Sequence, residues 1–220
     1  DNNRKLLIIF RDRFGVKPLY FWRDNSSFAF ASEIKALLAH QKIIKQIDKT
    51  AVANYLVIGY VPAPQSAFLG IRKLLPGHFM SVSENGTQVK IEQWSNPYKL
   101  FQNKIEITDE IVCEQLENTL ETAFERRMLA DVPVGIFLSG GIDSSTLIAL
   151  LSKKRSLLKT FTIGFQDEQY DESIYAKQVA DRFGTEHYEY YCSPQDVIDV
   201  IQELPTIFDE PFGDQSAVPT

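Results

Sequence analysis

The residues of this chain that are best suited to chemistry lie in one short turn, 139–145, which reads Ser-Gly-Gly-Ile-Asp-Ser-Ser. An apolar run ends at Leu138 and a new apolar pattern begins at Leu147, so this order predicts a strand, a turn and the start of a helix. The first N–H groups of a helix have no intrahelical partners, and they carry the positive end of the helix dipole. A turn of this kind therefore favours an anion, most often a phosphate.

The side chains of the turn fit the same ligand. Gly140 and Gly141 permit a close approach that a Cβ would block, and Ser139, Ser144 and Ser145 supply hydroxyl donors. The G-x-x-x-x-G-K-[ST] pattern is absent, and so is G-x-G-x-x-G. The sequence thus predicts a phosphate site made of backbone amides and hydroxyl groups, without a lysine.

Asp143 is the unexpected member of the turn, because a carboxylate repels a phosphate unless a cation lies between them. We interpret Asp143 as a ligand of Mg²⁺, a cation that proteins usually bind through carboxylates together with substrate phosphates. The alternative is an acid that interacts only with the helix dipole, which is worth about 0.5 kcal/mol. Directly after Ser-Gly-Gly, we favour the metal ligand.

Composition limits the class of protein. The chain has 220 residues, a net charge of −6 and dispersed basic residues, so it gives no support for a nucleic-acid surface. Neither of its two cysteines, Cys113 and Cys192, has a neighbour at metal or redox spacing, which fits a reducing compartment and predicts a cytoplasmic protein. No apolar run approaches the ~20 residues that span a bilayer, so no membrane partner is expected.

The chain divides by pattern into three parts. Residues 1–95 read as an α+β piece, 96–107 as a linker, and 108–220 as alternating helices and strands. The sequence predicts strands at 133–138, 160–165 and 187–191, and helices at 143–152, 171–183 and 193–204. This alternation predicts an α/β fold with a doubly wound parallel sheet. In such sheets ligands lie beyond the carboxyl ends of the strands, where Gly164 would lie beside the turn.

Several smaller features complete the prediction. Ser32 and Thr50 are expected to cap two helices of the α+β piece, and Gly59 to end the second one. Arg11, Asp12 and Arg13 read as a salt-bridged surface turn. The cysteines are expected to pack rather than react.

Several motifs together identify a resemblance. The turn at 139–145 is similar to the pyrophosphate-binding loop of the ATP pyrophosphatase superfamily. Other segments, in the same order, resemble glutamine-hydrolysing asparagine synthetases: Arg11–Tyr20, Phe30–Leu37, Leu75–His78, Thr162–Phe165 and Phe208–Phe212. The resemblance covers essentially all 220 residues.

The resemblance implies a glutaminase-type domain followed by a synthetase domain of the ATP pyrophosphatase type. It implies that glutamine supplies ammonia, that MgATP adenylates the aspartate side chain, and that ammonia displaces AMP. The partners are then small molecules, namely ATP, aspartate, and glutamine or ammonia; a homodimer is left open. The same resemblance implies that Leu138 and Ile163, with Gly164, flank the adenine. It also implies that Asp143 binds the metal. The implied phosphate ligands are Ser139, Gly140, Gly141, Ser144 and Ser145.

The sequence also leads us to expect a piece of a longer protein. It begins at Asp1 rather than Met, while the family's glutaminase nucleophile is an amino-terminal cysteine. The family's Ser-Gly-Glu/Asp-Gly-x-Asp-Glu segment and a later lysine are not present either. We therefore expect nucleotide binding without catalysis. Two alternatives stay open, a synthetase that adenylates another carboxylate, as β-lactam synthetases do, and an inert scaffold. Asp209, Glu210 and Asp214 receive no role, since a substrate-facing loop and a solvated loop are both compatible with them.

Overall fold

A computed structural model describes residues 1–102, 106–167 and 171–214. These residues form two compact units: residues 1–102 with 202–214 make the first unit, and residues 106–201 make the second. The mixed α/β class predicted from the sequence is confirmed. The predicted linker at 96–107 stays a prediction. Residues 202–214 were expected to belong with the synthetase segment, yet they pack within the first unit.

The first unit contains two three-stranded antiparallel sheets and two helices. Its elements are β1 (Leu6–Phe10), β2 (Tyr20–Arg23), β3 (Phe28–Ala31), α1 (Ile34–Leu38), α2 (Lys49–Ile58), β4 (Ile71–Lys73), β5 (His78–Ser83) and β6 (Val89–Gln93). The strand orders are β1-β5-β6 and β3-β2-β4. A short 3₁₀ helix, Pro97–Gln102, follows.

Alternation along β2 gives the first unit two apolar layers. Phe21 belongs to a buried cluster with Ile9 and Met80, which joins the two sheets. Its neighbour Tyr20 belongs to a second cluster with Ile34 and Leu37, which joins β2 to α1. Since successive side chains of a strand point to opposite faces, β2 contributes to both layers.

The helix caps of the first unit differ from the prediction. Asp48, and not Thr50, caps α2: its Oδ1 accepts from the Thr50 and Ala51 N–H groups at 2.9 and 3.3 Å. The prediction was wrong because Asp and Thr are both good caps and only two residues apart. Ser32 is likewise not the cap of α1, whose N-cap is Glu33 without a side-chain hydrogen bond. Gly59 ends α2 as predicted.

The turn that follows β1 is held by side chain to backbone bonds rather than by salt bridges. The Arg11 guanidinium donates to the carbonyl oxygens of Lys17, Gly15 and Leu74. The Asp12 carboxylate accepts from the N–H groups of Phe14, Val16 and Lys17 at 3.0–3.1 Å. The salt-bridged interpretation was therefore wrong, because both charged groups find closer partners in the backbone of their own turn.

The second unit alternates helices and strands as predicted. Its elements are α3 (Asp109–Arg127), β7 (Gly135–Phe137), α4 (Ile142–Ser152), β8 (Lys159–Phe165), α5 (Ser173–Phe183), β9 (Glu186–Cys192) and α6 (Pro194–Ile207), the end of α6 lying in the first unit. The three strands are parallel, in the order β7-β8-β9. α6 continues past its predicted end at Leu204 to Ile207, with Pro205 inside its last turn.

Helices cover one face of the parallel sheet in the described part of the chain. Ile136 and Leu138 pack there against Ile148 of α4 and Ala176 of α5 in one buried cluster. The opposite face exposes aromatic side chains, Phe137, Phe161, Tyr188 and Tyr190. A doubly wound sheet has helices on both faces, so that finer prediction stays a prediction. None of the described helices is long and apolar enough to cross a membrane.

Candidate functional site

The predicted glycine turn connects β7 to α4 at the carboxyl edge of the parallel sheet. The Leu138 N–H donates to the Phe161 carbonyl at 2.9 Å, and the Thr162 hydroxyl donates to the Leu138 carbonyl at 2.5 Å. Leu138 is thereby fixed as the last residue before the turn. α4 then begins at Ile142, with Gly141 as an N-cap that has no side-chain hydrogen bond. Its first-turn N–H groups have no intrahelical acceptor and point beyond the helix start.

Gly140 is required by both its conformation and its surroundings. Its φ of +77° lies in the left-handed region, which favours glycine. A Cβ placed there would lie 2.6 Å from the Cβ of Tyr175 and 2.8 Å from the backbone N of Ala176. The turn therefore rests directly on the first turn of α5, which fixes its position in the second unit.

The serines of the turn hold its shape. The hydroxyls of Ser139 and Ser144 lie 3.1 Å apart, and the Ser139 hydroxyl accepts from the Gly141 N–H at 3.3 Å. Ser144 in turn accepts from the Ser139 N–H at 3.3 Å. Ser139 and Gly141 are exposed, so this self-bonded turn presents its outer side to solvent.

Ser145 differs from the other serines of the turn. Its Oγ is buried and has no hydrogen-bond partner among the described residues. Buried polar atoms are nearly always paired, so this hydroxyl calls for a partner outside the described residues. A phosphate oxygen bound at the start of α4 would supply that partner.

Asp143 is exposed in the first turn of α4. Within the part of the chain that the structure describes, no group of three or more His, Cys, Asp or Glu side chains could hold a metal ion. A single carboxylate fits Mg²⁺ only if phosphate oxygens and water complete the octahedron, which is how this ion usually binds. The donor set of the turn therefore fits a magnesium–phosphate ligand and does not form a metal site by itself.

A second polar cluster holds the end of β8 beside the turn. The Asp171 carboxylate accepts from the Ser173 N–H at 3.1 Å, from the Ser173 hydroxyl at 2.9 Å and from the Phe165 N–H at 3.4 Å. Burial opposes the ionised carboxylate, but these hydrogen bonds outweigh it and hold the pKa of Asp171 below its usual value. The sequence placed Asp171 only at the start of a predicted helix; the Asp-x-Ser spacing could have indicated these local side-chain hydrogen bonds.

The two residues expected beside an adenine do not share a face of the sheet. The Leu138 side chain is buried in the core beneath α4 and α5. Ile163 instead lines a cavity of about 350 Å³ on the opposite, aromatic face. There the rings of Phe161 and Tyr188 stack with centroids 5.1 Å apart. Gly164 is buried at the end of β8, where a Cβ would lie 2.7 Å from the Tyr191 ring. Only backbone groups of Leu138 and Ile163 could meet at one edge.

The cysteines lie outside this arrangement. Cys113 is exposed on α3, so the expectation that it packs was wrong. Cys192 is buried at the end of β9, and burial raises the pKa of its thiol. A raised pKa leaves little thiolate, the reactive form, near neutral pH.

Comparison with known proteins gives two family matches. Residues 1–95 match the model of the glutamine amidotransferase domain, and residues 115–220 match the model of asparagine synthase. Each of these two segments is similar to the family whose model it matches. The second match contains the whole glycine turn, from Ser139 to Ser145.

Curated relatives carry the same pair of activities in their names. A putative asparagine synthetase [glutamine-hydrolyzing] 2 of Methanocaldococcus jannaschii is 38% identical over 226 residues, which cover 100% of this chain and 43% of the relative. Asparagine synthetase [glutamine-hydrolyzing] 1 of Bacillus subtilis is 31% identical, covering 100% of this chain and 34% of the relative. A match of another kind, amidase chyE of Penicillium rubens, is 30% identical and covers 84% of this chain and 29% of the relative. The chain thus spans less than half the length of these relatives.

Proposed function

We propose that the whole protein makes asparagine from aspartate, with ATP as the activating substrate and glutamine as the source of ammonia. The observation that carries this proposal is the glycine turn, a built anion site within the asparagine synthase segment. The glutamine amidotransferase segment supports glutamine as the nitrogen source. The chain contributes the phosphate-binding part of the synthetase site.

In this proposal the residues of the turn divide the work of holding ATP. The N–H groups at the start of α4, together with the backbone of Gly140 and Gly141, donate hydrogen bonds to the phosphate oxygens. The hydroxyls of Ser139, Ser144 and Ser145 supply further donors. The backbone of Leu138, Ile163 and Gly164 borders the adenine. The Leu138 N–H already donates to the Phe161 carbonyl, and the Leu138 carbonyl already accepts from the Thr162 hydroxyl. The Leu138 backbone would therefore border the adenine mainly by its shape.

Asp143 is proposed as the protein ligand of Mg²⁺. When bound, the ion would neutralise charge on the pyrophosphate that leaves as the aspartate carboxylate is adenylated. The turn amides stabilise the same negative charge from fixed positions, so they need no rearrangement during the reaction. AMP is then a far better leaving group than hydroxide, which allows ammonia to displace it.

The open aromatic face of the sheet supports the finer fold proposal. Exposed aromatic side chains on a parallel sheet are unusual, because such sheets are normally covered on both faces. We propose that the second unit is part of a doubly wound sheet in the whole protein. We also propose a cytoplasmic location, on the grounds that the chain has two free thiols.

A second candidate is an enzyme of the same chemistry that acts on another carboxyl substrate. Two relatives named amidases match 84% of this chain, so similarity over this part of the protein does not by itself fix the carboxyl substrate. Aspartate-dependent release of pyrophosphate by the whole protein distinguishes the two. Pyrophosphate release that requires a different carboxylate would select the second candidate.

Isothermal titration of the 220-residue chain with ATP, in the presence and absence of Mg²⁺, tests the nucleotide site. We expect binding that Mg²⁺ strengthens, and we expect Asp143→Ala to lose this strengthening while keeping the fold. Asp181→Ala, which removes an exposed carboxylate of α5, is the matched control and should bind as the unaltered chain does. An unchanged Mg²⁺ dependence in Asp143→Ala would contradict the role of Asp143, and an absence of ATP binding would contradict the nucleotide site.

A further inference from the structure

The last residues of α6 and the residues that follow it make a set of hydrogen bonds with residues 1–102 that neither family match explains. We call residues 206–213 the docking segment. Its Gly213 N–H donates to the Gly59 carbonyl at 2.5 Å, and its Thr206 carbonyl accepts from the Lys35 ammonium at 3.1 Å. Asp209 Oδ2 accepts from the Ile34 N–H, at the start of α1, at 2.5 Å. These bonds join it to two separate parts of the first unit, the start of α1 and the end of α2.

Glu210 makes the densest contacts of the docking segment. Its Oε1 accepts from the Ala67 N–H at 2.7 Å, and its Oε2 lies 2.5 Å from the Lys73 ammonium and 3.3 Å from the Tyr20 hydroxyl. The side chains of Lys73 and Glu210 are 14% and 10% exposed. One carboxylate therefore receives three donors in a nearly dry pocket, and those donors come from β2, β4 and the loop between α2 and β4.

The pocket is complementary in charge to a carboxylate. Without Glu210, the described part of the first unit leaves the buried Lys73 ammonium with the Val61 carbonyl, at 2.6 Å, and without a counter-ion. A buried charge is tolerated only when it is paired and hydrogen-bonded. Burial, together with the negative charge of Glu210, also raises the pKa of Tyr20, so its hydroxyl stays a donor. Residues 1–102 thus build a carboxylate-binding pocket that a residue of the asparagine synthase segment fills.

We propose that the docking segment is an intrachain docking motif with Glu210 as its anchor. Through this motif, residues of the asparagine synthase segment complete the first unit. The position of residues 61–73, which belong to the glutamine amidotransferase segment, then depends on residues of the asparagine synthase segment. The surface is the pocket formed by Tyr20, Ala67 and Lys73, and its partner is this chain's own carboxylate. This inference does not depend on nucleotide binding or on asparagine synthesis.

Amide hydrogen exchange of the 220-residue chain tests the anchor. In Glu210→Gln, we expect the N–H groups of Ala67 and Ile34 to exchange about tenfold faster or more, because both lose acceptors when the segment leaves. Ile34 is the decisive amide, since it bonds to Asp209 and not to Glu210. Faster exchange of Ala67 alone would show only a local lost bond, and it would overturn the proposal. Unchanged exchange of both amides would overturn it as well.

Two further variants extend the test, and the first keeps it informative if Glu210→Gln folds poorly. Asp209→Asn should speed exchange of Ala67, which it does not contact, if the segment docks as one piece. The double variant Lys73→Met with Glu210→Gln removes both charges of the pair. The factor by which its unfolding equilibrium constant rises should be smaller than the product of the factors measured for the two single variants. A purely multiplicative effect would overturn the charge-paired anchor. Glu84→Gln, which breaks the exposed Lys5–Glu84 pair, is the control and should alter neither amide. Amides of β8 should be unchanged throughout.

Discussion

The hydroxyl oxygen of Ser145 is buried without a hydrogen-bond partner among the described residues. In the turn at 139–145, the partner that we propose is a phosphate oxygen of ATP. The affinity for ATP should therefore depend on this hydroxyl, whereas the free energy of unfolding should depend on it little.

Ser145→Ala should leave the free energy of unfolding unchanged within about 0.5 kcal/mol, since no internal hydrogen bond is lost. It should weaken ATP binding about tenfold or more, because a hydrogen bond to a charged group is removed. Chemical denaturation and isothermal titration measure the two effects. Ser152→Ala, whose hydroxyl bonds to the Ala149 carbonyl at 3.1 Å on the same helix, is the control and should not affect ATP binding. A large loss of stability in Ser145→Ala would contradict this account.

Gly140→Ala should destabilise the chain by about 3 kcal/mol or more, because its Cβ would meet backbone atoms of α5 that cannot move separately. Gly184→Ala is the matched control: its φ is +64°, yet nothing lies within 4 Å of the added Cβ. It should cost about 1–2 kcal/mol from the left-handed conformation alone. Thermal unfolding of both variants gives the difference, and equal losses would contradict the close contact between the turn and α5.

Asp171 predicts a pH dependence of stability. Its folded-state pKa lies below the ordinary value of 3.8, so its stabilising effect is complete above that value and is lost as the pH falls through the folded-state pKa. Unfolding of the chain and of Asp171→Asn, followed between neutral pH and pH 2, should show a stability difference that shrinks only below about pH 4. A difference that shrinks near neutral pH would rule out this carboxylate as the cause.

At the scale of elements, the helix caps show where sequence patterns are sufficient and where they are not. Apolar periodicity predicted α4, α5, α6 and the parallel strands closely, because it reflects which face of each element is buried. It could not choose between Asp48 and Thr50, which are both good N-cap residues. The acceptor for the first N–H of α1 was beyond any local pattern, since Asp209 lies 175 residues away.

The cap of α2 can be tested directly. Asp48→Ala should lower the free energy of unfolding by about 1 kcal/mol, because two N–H groups lose their acceptor. Thr50→Ala, at the residue that the sequence pattern favoured, should change it by less than about 0.5 kcal/mol. Urea denaturation of the two variants separates these expectations, and the reverse order would restore Thr50 as the cap.

At the scale of the whole molecule, the sequence predicted the two family segments but not the way they share structure. The turn at 139–145 was predictable because all its parts are adjacent in sequence. The Glu210 pocket was not, because the residues of its donors, Tyr20, Ala67 and Lys73, are distant from it in the chain and carry no motif together. The same reason explains why no role could be assigned to Asp209 and Glu210 beforehand.

The two free thiols should report on folding of the whole chain. Cys113 is exposed and should react at once with a thiol reagent, whereas Cys192 is 7% exposed and should react only when the protein unfolds. We expect one fast thiol per chain in the native state and two in denaturant. Cys113→Ala should remove the fast phase; a fast phase that persists would contradict the burial of Cys192.

The long separation between Glu210 and its pocket has a consequence for synthesis on the ribosome. Ala67 is translated 143 residues before the carboxylate that accepts its hydrogen bond. At 5–20 residues per second, the delay is roughly 7–30 s. During that time the nascent first unit holds Lys73 without its counter-ion, so the closure of this pocket waits until Glu210 has emerged.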